Sequence, residues 1–292
     1  IREACVMSTR SYVGPRANLL DEGEVHARKL VLESPLLDTP TFLRIQTLEG
    51  EDFRHATLST LFVAEGGVES MRRALSLLVD SARNAVASGV KLLILSDRGA
   101  AAERAPLPSL LALAAVHEGL RRAGLRARCD LIVDSGEIRE VMHCVLLLGC
   151  GAAALHPYLA IESVVAAAAR GHLEGSDPLR ARAQLLQAFR VGIPKVLSKM
   201  GISTLESYRG GQLFEALGLG PKLIEEYFPG VPSRLGGIEL ETLAEECRRR
   251  HRKALDGQHA APGLSAGGKY RWRRDGEAHA YAPNVIGLLQ HA

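Results

Sequence analysis

The sequence predicts an α/β protein in which strands and helices alternate along the chain. Hydrophobic residues make up 47% of the 292 residues but aromatic residues only 4%, so the core must be built from aliphatic side chains. From residue 56 onward, short apolar runs alternate with longer amphipathic segments. The short runs lack polar alternation, which is typical of parallel strands that helices cover. We therefore expect parallel βα units.

The first two βα units have clear boundaries. ATLSTLFV (56–63) is rich in β-branched and apolar residues and predicts a strand, and residues 68–89 have the apolar spacing of a long helix. VKLLILSDR (90–98) has the composition of a buried strand. Residues 109–124 predict a helix with Ser109 as its N-cap and a glycine at its end.

Two further βα units follow. Residues 128–137 and 151–157 predict strands, and residues 138–149 and 158–171 predict the helices that come after them. Repeated units of this kind fit a TIM-type barrel or a doubly wound sheet, and the pattern does not choose between the two.

The chain divides where the βα alternation stops. We expect a partial or degenerate TIM-barrel-like central domain over residues 1–172 and a helix-rich C-terminal extension over residues 173–292. The chain begins with Ile1 and ends in the helix-like PNVIGLLQHA, so we expect it to be a fragment of a longer protein.

Polar residues follow three of the predicted strands, where both architectures place ligand-facing loops. These residues are Ser96, Asp97, Arg98, Asp134, Ser135, Gly136, His156 and Tyr158. An acid–base pair such as Asp97 and Arg98 also satisfies loop amides and its own charges, and we favour that structural interpretation. A phosphate nest normally needs more than one glycine, and the first loop offers only Gly136, so a barrel without its ligand is the expected outcome.

Residues 195–219 combine the apolar spacing of a helix with polar side chains that packing does not require. We expect the four polar side chains to be exposed and to face a neighbouring domain or a ligand: Lys199, Ser203, Tyr208 and Arg209. Gly210 and Gly211 would each weaken a helix by about 1 kcal/mol and usually permit close backbone approach. The segment therefore indicates an interdomain role.

Composition and spacing argue against several classes of partner. A net charge of +3, from 36 basic and 33 acidic residues, is too balanced to indicate nucleic acid or an anionic membrane. The basic run 248–253 closes a helix whose C-terminal dipole favours cations, and the Asp-Gly pair within residues 269–281 is typical of a hairpin turn. A nucleic-acid scaffold using residues 248–274 remains only a minor alternative.

The cysteines and apolar runs indicate a reduced, cytoplasmic protein. The five cysteines have an odd count and no CxxC pair. His143, Cys144, Cys150 and His156 have no tetrahedral spacing, so no metal site is expected. There is no apolar run long enough to cross a membrane and no signal-peptide pattern at the start of the sequence.

A set of motifs in consistent order resembles the large subunit of the glutamate synthase family. The matching stretches are MSTRSYVGPRANLL (7–20), KLVLESPLL (29–37), LLILSDRG (92–99), APLPSLLALAAVH (105–117), LIVDSGEIREV (131–141), GAAALHPYLAIESV (151–164), KVLSKMGIST with SYRGGQLFEA (within 195–219) and PSRLGGIELETLAEE (232–246). The family more often has ETGEAREV in the fifth stretch and Asn at the position of His156. The resemblance spans nearly the whole chain.

The resemblance implies the central domain and the segment leading into an FMN-binding synthase domain. The family moves the amide nitrogen of glutamine onto 2-oxoglutarate, as ammonia through an internal passage, and reduces the adduct to glutamate. By resemblance, this chain would hold the glutaminase and synthase sites in register and help to form the passage, with no catalytic residue of its own.

The same resemblance places the cofactors and partners outside this chain. FMN and an iron–sulfur cluster are implied for the whole enzyme, and we expect this chain to bind neither. Its implied partners are the glutaminase and synthase domains of the same polypeptide, with a small electron-donor subunit or ferredoxin. The motifs do not distinguish NADPH, NADH and ferredoxin as donor. The alternative is a free-standing TIM-barrel-like enzyme that binds a flavin or a phosphorylated ligand through Asp97, Asp134 and Lys199.

Overall fold

The structure is a computed structural model that describes residues 6–16, 20, 22–173, 175–255, 267–268 and 271–292. Its strands are β1 (Ser11–Val13), β2 (Leu30–Leu32), β3 (His55–Ser59), β4 (Leu61–Val63), β5 (Leu92–Ser96), β6 (Arg104–Pro106), β7 (Asp130–Asp134), β8 (Ala154–His156), β9 (Gly218–Leu219) and β10 (Gly237–Ile238). Its helices are α1 (Thr39–Gln46), α2 (Gly67–Ala87), α3 (Ser109–Arg122), α4 (Val141–Gly149), α5 (Tyr158–Ala169), α6 (Pro178–Lys199), α7 (Leu205–Tyr208), α8 (Pro221–Tyr227), α9 (Leu240–Leu255) and α10 (Pro283–His291).

The main sheet contains four parallel strands in the order β3-β5-β7-β8. In its register Leu92 of β5 lies opposite His55 of β3 and Asp130 of β7. Each strand therefore pairs with the next parallel strand along the chain, joined to it through α2, α3 or α4. A doubly wound sheet reverses its strand order, whereas a barrel keeps the sequential order. The predicted parallel α/β class is confirmed, with four strands where a complete barrel has eight.

The two faces of this sheet are covered by different parts of the chain. Alternate residues such as Leu93 and Leu131 pack against the crossover helices and α6 in one apolar cluster. Their neighbours Leu92 and Ile132 lie in a second cluster on the opposite face. The residues that cover this second face come from β1 and α1, including Val13, Phe42 and Ile45. The face that would line a barrel interior is thus filled by the chain's own N-terminal part.

The two edges of the sheet also differ. Leu155 of β8 makes two backbone hydrogen bonds at one edge: its N–H donates to Pro35 O at 2.7 Å, and its carbonyl accepts from Leu37 N at 2.8 Å. The stretch before α1 therefore closes that edge. Within the described residues, no strand pairs with the outer edge of β3. Val63 and Leu77, which are 59% and 56% exposed, lie beside that open edge.

Two predicted boundaries change in the structure. The predicted strand 56–63 divides at Thr60 into β3 and β4, because β4 pairs with β6 in an antiparallel ribbon rather than with the main sheet. The prediction that Ser109 is the N-cap of α3 is wrong, because Ser109 is the first residue of that helix. Its N–H donates to the Glu137 carboxylate at 2.6 Å, so a distant side chain supplies the cap.

Residues 195–219 do not form one helix, although their apolar spacing is helix-like, and the interruption lies at the glycines that argued against a complete helix. α6 ends at Lys199, α7 spans only four residues, and the chain then turns at Gly210, whose φ is +73°. Gly210 N donates to Gly149 O at the end of α4, at 2.8 Å. The close backbone approach that the glycines predicted is therefore made within this chain.

The chain forms two compact units, Ile1–Arg249 and Arg250–Ala292. The second unit contains α10 and a turn in which Asp275 has φ +60° and is followed by Gly276. Residues 271–281 contain no strand, so the predicted hairpin is reduced there to its turn, and residues 269–270 lie outside the described chain.

Candidate functional site

The buried carboxylate of Asp134, at the end of β7, is the centre of the strand-end site. It receives hydrogen bonds from Ser96 Oγ at 2.7 Å and from Arg98 Nε at 3.1 Å. Its second oxygen lies 2.8 Å from Nδ1 of His156, which is fully buried. Because a carboxylate only accepts, His156 donates from Nδ1. Three strand ends are thereby joined by one side chain.

A second buried carboxylate, Asp97, holds the loop after β7. Asp97 accepts from Ser135 Oγ at 2.6 Å and from Gly136 N at 3.0 Å, and Ser135 Oγ in turn accepts from Glu137 N at 3.1 Å. Burial raises the pKa of Asp97, and the hydrogen bonds from Ser135 and Gly136 partly oppose that effect. The loop amide that a phosphate would need is therefore already engaged.

Aromatic and charged groups close the rim of this site. The Arg98 guanidinium lies over the Tyr158 ring at 3.9 Å from its centroid, and its Nη1 is 3.6 Å from Glu162 Oε1. Burial and the nearby Asp97 raise the pKa of Tyr158, which keeps the phenol protonated. Phe42 of α1 stacks on the His156 ring, with ring centroids 4.3 Å apart.

All eight polar residues predicted at the strand ends meet in one place, and we call them the strand-end network. Sequence reasoning missed Thr39 and Phe42 of α1, although Thr39 Oγ1 lies 3.2 Å from His156 Nε2. No local signal connects these residues to the network, because α1 precedes His156 by more than a hundred residues. The acceptor atoms of both carboxylates are taken up by the chain itself, which favours the structural interpretation.

The four polar residues of segment 195–219 do not form one cluster. Lys199 and Ser203 are exposed, as predicted. Tyr208 is fully buried and donates its hydroxyl to Val145 O at 3.0 Å, and the Arg209 side chain is only 3% exposed. The predicted exposure is wrong for these two residues, because the turn at Gly210 folds them against α4 and β7.

Arg209 belongs to an ion pair at the opposite, amino-terminal end of the sheet. Its Nη2 donates to Asp130 at 2.6 Å, and the other oxygen of Asp130 accepts from Gly14 N at 2.9 Å. Arg126 Nη1 lies 3.9 Å from the same carboxylate. Arg209 Nε is buried and has no hydrogen-bond partner in the part of the chain that the structure describes. Asp130 therefore joins β7, the segment after α7 and the residues after β1, a junction that local pattern does not reveal.

The described residues do not fit the cofactors that the resemblance implies for the whole enzyme. They contain no group of three or more His, Cys, Asp or Glu side chains placed to hold a metal ion. Burial raises the pKa of Cys129 and Cys150 to about 11 and of Cys144 to about 12, so these thiols stay protonated and are poor ligands. With Gly136 N bound to Asp97, the strand ends do not fit a flavin phosphate either.

Comparison with known proteins gives a consistent family. A family model described as glutamate synthase central domain matches residues 1–220. The large chain of the NADPH glutamate synthase of Bacillus subtilis is 40% identical over 292 residues, which is all of this chain and 19% of that protein. The NADH glutamate synthase of Schizosaccharomyces pombe is 36% identical over 297 residues, covering all of this chain and 14% of that protein. Ferredoxin-dependent glutamate synthase 2 of Synechocystis is 37% identical over 305 residues, covering all of this chain and 19% of that protein.

Solved structures show only a distant likeness. A mandelate oxidase variant is 21% identical with a TM-score of 0.35, over 49% of this chain and 41% of that one. The flavin-binding domain of baker's yeast flavocytochrome b2 is 17% identical with a TM-score of 0.36, over 57% of this chain and 37% of that one. At these TM-scores the likeness is too weak to support a conclusion about this chain.

The sheet order, the filled inner face and the strand-end network define a four-stranded βα half-barrel domain. The chain belongs to the glutamate synthase central domain family, as the motifs predicted. It spans about a fifth of the length of its Bacillus subtilis relative. Across the described residues, no helix has the length and apolar character needed to span a membrane.

Proposed function

We propose that this chain serves as the connecting domain of a glutamate synthase and carries out no reaction of its own. In this role it holds a glutaminase site and a synthase site in register. The observation that carries the proposal is the closure of the strand-end network. In a barrel enzyme these positions present polar groups to a ligand, whereas here Asp97 and Asp134 accept from the chain's own donors.

Two further features support the connecting role. The inner face of the half-barrel, where a barrel enzyme places its core, is occupied by β1 and α1. The open edge of β3, with the exposed Val63 and Leu77 beside it, offers an apolar surface to a neighbouring domain. The relatives are much longer than this chain, so we infer that the neighbour is another domain of the same polypeptide.

In the same proposal, FMN and the iron–sulfur cluster belong to those neighbouring domains, and the exposed Lys199 and Ser203 face them near the ammonia passage. The electron donor is left open, because relatives named for NADPH, NADH and ferredoxin all match. No observation favours the free-standing enzyme that binds a flavin or a phosphorylated ligand.

The isolated chain is expected to be inactive. It should neither hydrolyse glutamine nor form glutamate from 2-oxoglutarate with ammonia and a reductant, since the buried carboxylates of Asp97 and Asp134 already accept hydrogen bonds from the chain's own donors. FMN mixed with the purified chain should elute separately on gel filtration. Turnover of either kind, or stoichiometric retention of FMN with a shifted absorption band, would contradict the proposal and favour the free-standing enzyme.

In the complete enzyme, we expect the Leu77→Asp change to uncouple the two half-reactions. A carboxylate at this open-edge position would be buried against the neighbouring domain at a cost of about 2 kcal/mol or more, which displaces the half-barrel. The measurement is the ratio of glutamine hydrolysed to glutamate formed, and it should rise as ammonia escapes. Leu43→Asp on α1 is the matched control, because Leu43 is 53% exposed on a different part of the unit. Equal ratios in the two variants would exclude β3 as the contact edge.

A further inference from the structure

A cavity of about 660 Å³ lies between α3, α4 and residues 210–231, away from the strand-end network. Its wall is mainly apolar. It includes Leu110, Ala114, Leu146, Phe214, Ile224 and Phe228. This volume is within the range of small-molecule sites, which typically combine an apolar wall with a few polar groups in fixed positions.

His117 supplies one such polar group. Arg126 Nε lies 3.1 Å from His117 Nδ1, and a guanidinium can only donate, so Nδ1 accepts and the imidazole proton is on Nε2. The Nδ1 edge lies against Gly151, where an added Cβ would come within 2.6 Å of Nδ1. Arg126 and Gly151 therefore both lie at the Nδ1–Cε1 edge of the ring. Burial and the charge of Arg126 lower the pKa of His117 to about 4, so the ring remains neutral at pH 7.

The charges at the rim favour an acceptor on the ligand. Glu118 is only 4% exposed, and its carboxylate accepts from Arg121 Nε at 2.6 Å and from Arg122 Nε at 2.6 Å. These bonds lower the pKa of Glu118 to about 2 and compensate its charge. Arg121 lines the same cavity, and its side chain is 59% exposed. Glu215 also lines the cavity, but its Oε1 lies 3.4 Å from Arg234 Nε. The two carboxylates are thus paired with three arginines, which leaves an excess of positive charge at the mouth.

We propose that this cavity is a binding site for a small molecule with an apolar body and one anionic hydrogen-bond acceptor. The apolar body packs against the wall between α3 and α4. The acceptor, a carboxylate or a group of similar charge, receives the Nε2–H of His117 near Arg121. The proposed connecting role assigns no ligand to this part of the chain, and the two proposals can fail separately.

The test uses two fluorescent probes that share one apolar body. 8-Anilinonaphthalene-1-sulfonate carries an anionic acceptor, and N-phenyl-1-naphthylamine lacks it. The chain should bind both at one saturable site and bind the sulfonate more tightly. Ala114→Phe fills the cavity and should weaken both probes about tenfold or more, since it removes the space for the apolar body. His117→Asn keeps an acceptor for Arg126 at the place of Nδ1, and its shorter amide leaves no donor at the place of Nε2. It should therefore weaken only the sulfonate, by about tenfold.

The control is Ala87→Phe at the exposed C-terminal end of α2, which should change neither affinity. Circular dichroism and thermal unfolding verify that each variant is folded, and a histidine ¹⁵N spectrum reports the Nε2–H tautomer directly. Absence of saturable binding, or binding that Ala114→Phe leaves unchanged, would overturn the site. Equal weakening of both probes by His117→Asn would overturn the role of the donor.

Discussion

The Asp134→Ala variant is expected to lose about 3–5 kcal/mol of the free energy of unfolding. Removal of this carboxylate leaves buried His156 without its 2.8 Å partner and takes away the acceptor for Ser96 and Arg98. The His156 and Ser96 donors are buried and would not be re-paired, which is costly in a site of low dielectric, whereas Arg98 is 42% exposed and keeps its contact with Glu162. Chemical denaturation with urea, followed by circular dichroism, measures the loss.

The sign of this change separates a structural network from a ligand site. Residues arranged for a ligand are often strained, so their truncation is neutral or stabilising. A stable Asp134→Ala variant would therefore contradict the structural interpretation. Glu33→Ala is a suitable control, because its ion pair with Arg10 has side chains 79% and 46% exposed and should contribute little.

The Asp130→Ala variant is expected to be destabilised by a similar amount, about 3–5 kcal/mol. Arg209, whose side chain is only 3% exposed, would lose its 2.6 Å partner, and Gly14 N would lose its acceptor. Among the described residues Arg209 Nε has no hydrogen-bond partner, so the guanidinium would keep only the 3.2 Å contact of its Nη1 with the Glu206 carboxylate, whose side chain is 37% exposed. Denaturant unfolding of the purified variant measures the effect.

A double-mutant cycle distinguishes this ion pair from two independent contributions. Arg209→Ala combined with Asp130→Ala should cost less than the sum of the two single changes, because the second change removes the charge that the first left unpaired. Additive losses would show that the two side chains do not act as a pair. Asp80→Ala provides the exposed comparison, since Asp80 lies 3.6 Å from Arg83 with its side chain 58% exposed.

Much of the fold was accessible from the sequence because each βα unit is a local pattern. The buried strand Leu92–Ser96 and helix Ser109–Arg122 carry their periodicity within a few turns of chain. The meeting of Asp97, Asp134 and His156 was also predictable, since the carboxyl ends of parallel strands share one edge. The family was predicted from sequence motifs that it shares with this chain rather than from physical reasoning.

The rest depended on contacts that no local pattern contains. The choice of a half-barrel over a doubly wound sheet depends on the strand order and on Phe42 and Ile45, which cover the inner face. Nothing in the sequence of α1 indicates which part of the chain it packs against. Segment 195–219 has the apolar spacing of a helix, but the chain turns at Gly210. This turn buries Tyr208 and the side chain of Arg209. Tyrosine and arginine have long apolar portions, so their polarity alone did not indicate exposure.

The filled inner face has a consequence for the order of folding. The bonds that fix it close long loops: Ser11 Oγ meets Ala153 O across 142 residues, and Gly14 N meets Asp130 across 116. Such distant contacts form late and slow the search for the native state. During synthesis the inner-face residues of β1 and α1 leave the ribosome before the strands that they cover. The contacts that fix this cover include Ala153 and Leu155. Until β8 is complete, the cover over Leu92 and Ile132 is therefore not fixed, and the nascent half-barrel is then most prone to misassociation.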